Sequence, residues 1–229
     1  MFLHVPSRQK LPPPWATPLL VVVTMAVFLW LALLPEGPAW RDSLVRWGVL
    51  GGSFPMEPRD LLRAFADGRV LKLFTALFIH TDWTHLLGNL LFLVIFGLPA
   101  ERALGSWRFL VLFLIGGAVA NLVAVLLMAA PARTIVGDSG AVSAAIGAYL
   151  ALFPRARLGI VVPLGLFLEF VRAPASLLIG LWALLQLIFT FVGPAFGAVA
   201  WWAHLTGFAF GIVYALLSRN AVARRLRGG

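Results

Sequence analysis

The stretch from Phe109 to Ala132, FLVLFLIGGAVANLVAVLLMAAPA, runs without a single charged side chain. A bilayer-crossing helix needs about 20 mostly apolar residues, so this stretch is long enough to span. It has company: residues 11–35, 139–154 and 173–203 are also free of charge. Over the whole chain of 229 residues, 61% are hydrophobic and 12% charged, against about 25% charged in soluble domains. So few charges cannot cover the surface of a soluble globule of this size. Disorder, a fibrous architecture and an ordinary cytosolic enzyme are excluded. The chain reads as an all-α, polytopic membrane protein.

Six spans are expected, at about 15–34, 83–100, 109–130, 139–154, 174–191 and 199–218. Together they make one transmembrane domain over 15–218, between a short tail at 1–14 and a basic tail at 219–229. Span 2 has Thr81 or Asp82 as its N-cap. Span 4 is short and needs shelter from its neighbours. The turn at Gly193–Pro194, with Gly197, separates spans 5 and 6. Residues 158–168 are apolar but too few to cross, and hold Pro163 and two glycines, so they read as an interfacial or re-entrant connection. Residues 36–82 carry six basic and six acidic groups and read as a polar outer loop. The first apolar run is too long for a signal sequence and lacks a small-residue cleavage site, so it reads as a retained anchor.

Charge sets the orientation. Arg8, Lys10, Arg102, Arg108, Arg155, Arg157, Arg172, Arg219, Arg224, Arg225 and Arg227 fall on one side of a six-span chain, whereas the two short loops opposite hold only Arg133. By the positive-inside rule both termini are cytoplasmic. The net charge of +9 is thereby a topology signature and not a nucleic-acid surface. An Ala-, Leu- and Arg-rich chain without a transit-like leader suggests a bacterial inner membrane.

Polar side chains within apolar helices demand a reason. Five stand out: His85, Asn89, Ser139, Gln186 and His204. Spans 2, 4 and 6 run in the same direction, and His85, Asn89, Ser139 and His204 all lie within about 10 Å of the outer ends of these helices. A hydroxyl, two imidazoles and an amide therefore reach one depth, as a nucleophile, a base and oxyanion donors would have to. Each also has a plainer reading. Ser139, in Gly137-Asp138-Ser139-Gly140, begins a small-residue face continued by Ser143 and Gly147. His204 shares a helix face with Gly207 and Gly211, a Gly-x-x-x-Gly stripe suited to close packing, with span 4 the obvious partner. His85 and Asn89, four residues apart, suit an interhelical hydrogen-bonding pair. Asp138 reads as a solvated or capping acid, Glu101 and Arg102 as interfacial ion pairs or caps, and Gln186 with Trp182 as helix packing. No metal site is expected: cysteine is absent, His4 lies in the tail, and His80 and His85 have no well-placed acid. No cofactor is called for.

Taken together, these residues resemble the rhomboid intramembrane serine proteases. The likeness covers about residues 70–218. It rests on His85-Leu86-Leu87-Gly88-Asn89, Glu101 with Gly105, Gly137-Asp138-Ser139-Gly140, and Ala203-His204 with Gly207 and Gly211, in that order and spacing. The resemblance implies a dyad without a third member, Ser139 as nucleophile and His204 as general base, with His85 and Asn89 as oxyanion donors. It implies membrane-anchored substrates, single-span proteins among them, cut within or near their membrane segments, with spans 2 and 5 as the lateral entrance. Two positions depart from the family pattern. Leu71-Lys72 stands where many members carry Trp-Arg, and Ser143 stands where some place an aromatic on the histidine, so other contacts must hold the base. The rival readings are a non-proteolytic relative that binds transmembrane segments, or a small-solute transporter. The absence of internal repeats and of midplane charges speaks against the latter.

Overall fold

The computed structural model describes residues 12–35, 37–51, 63–127, 134–164, 167–192 and 201–227. Helices dominate: α1 (Ala16–Ala32), α2 (Pro38–Trp47), α3 (Arg69–Thr75), α4 (Trp83–Leu104), α5 (Ser106–Leu127), α6 (Ser139–Leu152), α7 (Ala175–Val192), α8 (Trp201–Leu217) and α9 (Arg219–Arg227). Two antiparallel strand pairs join them. One is β1 (Val49–Leu50) with β2 (Thr134–Ile135); the other is β3 (Arg157–Leu164) with β4 (Phe167–Pro174).

Among the described residues, α4, α5 and α7 are each long and apolar enough to cross a bilayer alone. A 22-residue helix such as α5 is about 33 Å long, against a hydrocarbon core of about 30 Å. α8 reaches spanning length only together with α9, across a 56° bend, and α1 and α6 are shorter apolar helices. Helix length thus gives three crossings, or four with the bent pair.

The architecture is built around α6. Its residues from Gly140 to Tyr149 are all buried, enclosed mainly by α8, α5 and the middle of α4. Small residues make this possible. A β-carbon on Gly207 would overlap the Gly140 carbonyl, one on Gly211 the Ala144 carbonyl, and one on Gly147 the Phe208 carbonyl. The α6 and α8 backbones therefore touch directly, as the Gly-x-x-x-Gly stripe leads one to expect. On the other side, Gly116 and Gly117 of α5 sit against Ala144 and Ala141.

α4 is a single rod with a wider π-turn at Leu93–Gly97. Pro99 lies just beyond; it lacks an N–H and its ring crowds the carbonyl four residues back, so a regular helix cannot continue through it. Glu101, 1% exposed, reaches from α4 to the start of α1. Its two oxygens accept the N–H groups of Ala16 (2.7 Å) and Thr17 (2.8 Å). α1 has no acid in its own first turn, so α4 supplies the carboxylate that favours its positive end.

Several expectations need correcting. The fold is not purely α-helical: residues 157–164 and 167–174 pair as antiparallel strands, and Pro174 ends β4, so α7 starts at Ala175. The β-branched run Ile160-Val161-Val162, with Gly165 before Phe167, is a hairpin signal that hydropathy alone conceals. Span 2 extends to Leu104 and takes in Glu101 and Arg102. Among its described residues, the polar loop between α1 and α4 holds α2, β1 and α3. Lys72 of α3 donates to the Val45 carbonyl of α2 (2.9 Å), and the Thr75 hydroxyl donates to the Trp47 carbonyl (2.7 Å). The C-terminal segment is the helix α9, with Val222 buried. The Gly193–Pro194 turn and most of the first 14 residues lie outside the described residues.

Candidate active site

Three helix N-termini converge on one cavity. α4 begins at Trp83 with Asp82 as its N-cap, extended in backbone and accepting the His85 N–H at 2.8 Å. That N–H holds the Asp82 carboxyl below its ordinary pKa, since it favours the charged form. His85 and Asn89 follow on one face of the first turns. α6 begins at Ser139. The chain reaches it through β2, pinned to β1 by the Val49–Ile135 pairing, and then turns at Gly137. That residue has φ +100°, its N–H bonds the Ala76 carbonyl at 2.9 Å, and a β-carbon there would run into the His85 imidazole. Both the conformation and the contact require glycine. α8 carries His204 one turn from its start.

The cavity measures about 260 Å³ and is lined by residues that include His85, Asn89, Ser139, Ser143, Gln186 and His204. His204 Nε2 lies 2.9 Å from Ser139 Oγ. Its other nitrogen, Nδ1, lies 2.6 Å from Gln186 Oε1 of α7, and the Trp201 ring packs perpendicular to the imidazole, 5.8 Å between ring centres. Ser143 makes no aromatic support; its hydroxyl donates to the Ser139 carbonyl at 2.7 Å. Ser139 stands at the head of α6, where the first-turn N–H groups have no partner within the helix.

All four residues singled out as a candidate site, Ser139, His204, His85 and Asn89, face this one cavity. Two further polar residues, Asp138 and Gln186, do more than the sequence reading assigned them. Asp138 is fully buried, not a solvated acid, and its side chain makes no capping bond. It pairs with His80, also fully buried: Asp138 Oδ1 lies 3.0 Å from His80 Nε2. The same Nε2 lies 3.0 Å from the Asn89 amide. If Nε2–H is given to the carboxylate, Asn89 turns its oxygen to His80 and keeps both N–H groups for the cavity. If Nε2 is unprotonated it accepts one amide N–H, and the other remains. Either way Asn89 presents a donor. His80 was visible as the histidine five residues before His85, but nothing in the sequence tied it to Asp138. Gln186, singled out in the sequence but read as helix packing, touches His204, whereas Trp182 does pack, edge-on to Phe208 at 5.7 Å. No group of three His, Cys, Asp or Glu among the described residues is placed to hold a metal.

The Rhomboid domain family matches residues 67–221, and the chain belongs to the rhomboid family. With its apolar helices, it is an integral membrane protein. It is similar to RHOMBOID-like protein 5 of Arabidopsis thaliana, 27% identical over 169 residues, which covers 63% of this chain and 55% of that protein. It is also similar to RHOMBOID-like protein 12, mitochondrial, of Arabidopsis thaliana, 34% identical over 152 residues, covering 58% of this chain and 43% of that protein. The chain spans about half the length of the curated relatives it matches.

Proposed function

We propose that this protein is an intramembrane serine endopeptidase that cuts membrane-anchored proteins within or near their transmembrane segments. The observation that carries the reading is the 2.9 Å contact between Ser139 Oγ and His204 Nε2, in a cavity that Asn89 and His85 also line. Membership of the rhomboid family supports it. Ser139 Oγ bonds to the substrate carbonyl carbon while its proton passes to His204 Nε2. The oxyanion is met by Asn89, His85 and the Ser139 N–H; such a donor is typically worth about 2.7–4 kcal/mol. The C–N bond then breaks, and His204 returns the proton to the leaving amine. Water attacks the acyl ester, giving its proton to His204, and Ser139 is regenerated.

In this reading α1, α4, α5, α6, α7 and α8 make six crossings, with both termini cytoplasmic in a bacterial inner membrane and the cavity near the outer face, where water reaches the acyl-enzyme. The short α6 crosses because its neighbours enclose it. A substrate helix must unwind locally to offer an extended peptide, which favours small or helix-breaking residues at its outer boundary. The test is cleavage of a single-span reporter by the purified protein in lipid. Wild type is expected to cut; Ser139→Ala and His204→Ala are expected to fail while keeping their melting transitions. Wild-type protein inert on several reporters and unlabelled by a fluorophosphonate would give the lead to a non-proteolytic, segment-binding role.

A further inference from the structure

We propose that Gln186 is the positioning residue of the Ser139–His204 pair, and that α7 thereby sets the state of the base. This rests on the serine-protease reading above. An imidazole serves as base toward Ser139 only if Nε2 carries a lone pair, so the proton must sit on Nδ1. That tautomer needs an acceptor at Nδ1. Asp138, next to the nucleophile in sequence, is turned onto His80, and the Ser143 hydroxyl is spent on a backbone carbonyl. Gln186 supplies the acceptor: its Oε1 is 2.6 Å from Nδ1, and it is only 8% exposed. A glutamine cannot take a proton or carry a charge, so its contribution is the choice of tautomer and the angle of the ring.

α7 supports the base a second time. Phe189 stacks on Trp201 at 5.0 Å, and the Trp201 ring packs perpendicular to that of His204. The Thr190 hydroxyl bonds back to the Gln186 carbonyl at 2.8 Å. The titratable side chain that lines the cavity with His204 is His85; His80 and Asp138 are paired with one another. None of them partners Nδ1 among the described residues, where Gln186 is the acceptor.

The experiment uses the full chain in liposomes with a single-span reporter, reading kcat, KM and the pH–rate profile. Gln186→Met keeps length and apolar volume and removes the acceptor. It is expected to lower kcat about tenfold or more, equivalent to about 1.4 kcal/mol, with KM little changed. Gln186→Glu restores an acceptor and adds a charge that favours the imidazolium. It is expected to recover kcat relative to Gln186→Met and to move the acid limb of the profile to higher pH. A Gln186→Met protein with wild-type kcat and profile overturns the proposal. If that variant loses its melting transition, Gln186→Glu decides, and an unmoved acid limb overturns it. Ser139→Ala separates the two readings. If it still cuts, the protease reading falls and takes this one with it. If it is inert while both Gln186 variants match wild type, only the role of Gln186 falls.

Discussion

α8 and α7 each deliver one side chain to the Ser139 hydroxyl's surroundings, and they do so by opposite means. α8 is pressed into α6 along Gly207 and Gly211, backbone against backbone. α7 buries only Ala175, Ile179, Gln186 and Thr190, and turns Leu177, Leu181, Leu184 and Phe191 outward. In a bilayer, apolar side chains gain nothing by leaving lipid for one another. Helices hold together by close packing of small residues and by polar contacts. α8 has the first; α7 relies on the second. The histidine is thus fixed on the rigid side of the cavity, and the group that orients it comes from the loosely held side.

The sharpest way to break this contrast is on α8. A valine at Gly211 would drive its side chain into the Ala144 carbonyl, and a backbone atom cannot swing aside as a side chain can. Gly211→Val is expected to cost about 3 kcal/mol or more, at the upper end of overpacking effects, read as a lost or lowered unfolding transition in detergent micelles. A Gly211→Val protein as stable as wild type would show that α8 does not seat against α6 as described.

The next effect lies in the buried pair beneath the nucleophile. Asp138→Leu removes one of the two partners of the fully buried His80 Nε2 and leaves it only the Asn89 amide, an expected loss of about 1–3 kcal/mol for breaking a buried polar contact. Replacing both, as His80→Leu with Asp138→Leu, removes both needs and is expected to be milder in stability than the single change. The measurement is a double-mutant cycle of unfolding free energies. An additive cycle would mean that the two side chains do not interact.

What the sequence made legible follows the same division. The small-residue stripe of α8 and the Gly/Ala face of α6 announce a close contact, because only that contact needs glycine at those spacings. Ser139 and His204 could be brought together on that basis. Gln186 sits among Leu185, Leu187 and Ile188 with no stripe around it, so nothing in the local pattern separates a ligand of His204 from an ordinary packing residue. Asp138 misled for another reason. An acid before a helix is usually solvated or capping, and only the turn at Gly137, with the chain held to Ala76, carries its side chain inward to His80. The β3–β4 hairpin was hidden because a short apolar run such as 158–168 fits a re-entrant segment as well as paired strands, and hydropathy does not distinguish the two.

Smaller again is the cap on α4, which positions His85 and Asn89 from the near side. Asp82→Ala is expected to cost about 1 kcal/mol, as loss of an N-cap does. Because the folded carboxyl titrates lower than an unfolded one, its contribution is full above the unfolded pKa and disappears as pH falls through the folded value. Wild type and variant should therefore differ in melting temperature at neutral pH and converge in acid. A gap that persists in acid would assign the effect to something other than the carboxylate.

The smallest effect is expected on α7, and its smallness is what the comparison requires. Leu184 is 52% exposed, and in a bilayer that exposure is to lipid. Leu184→Ala exchanges side-chain–lipid contacts for a slightly different lipid surface and opens no cavity in the protein. The change in unfolding free energy is expected to stay within about 0.5 kcal/mol. Cleavage should be unchanged too, because Gln186, two positions on, lies on the opposite, inward side of the helix. A large loss at Leu184 would mean that this face of α7 is packed against protein and not lipid. α7 would then be held as firmly as α8, and the orientation of His204 by Gln186 would rest on a rigid element.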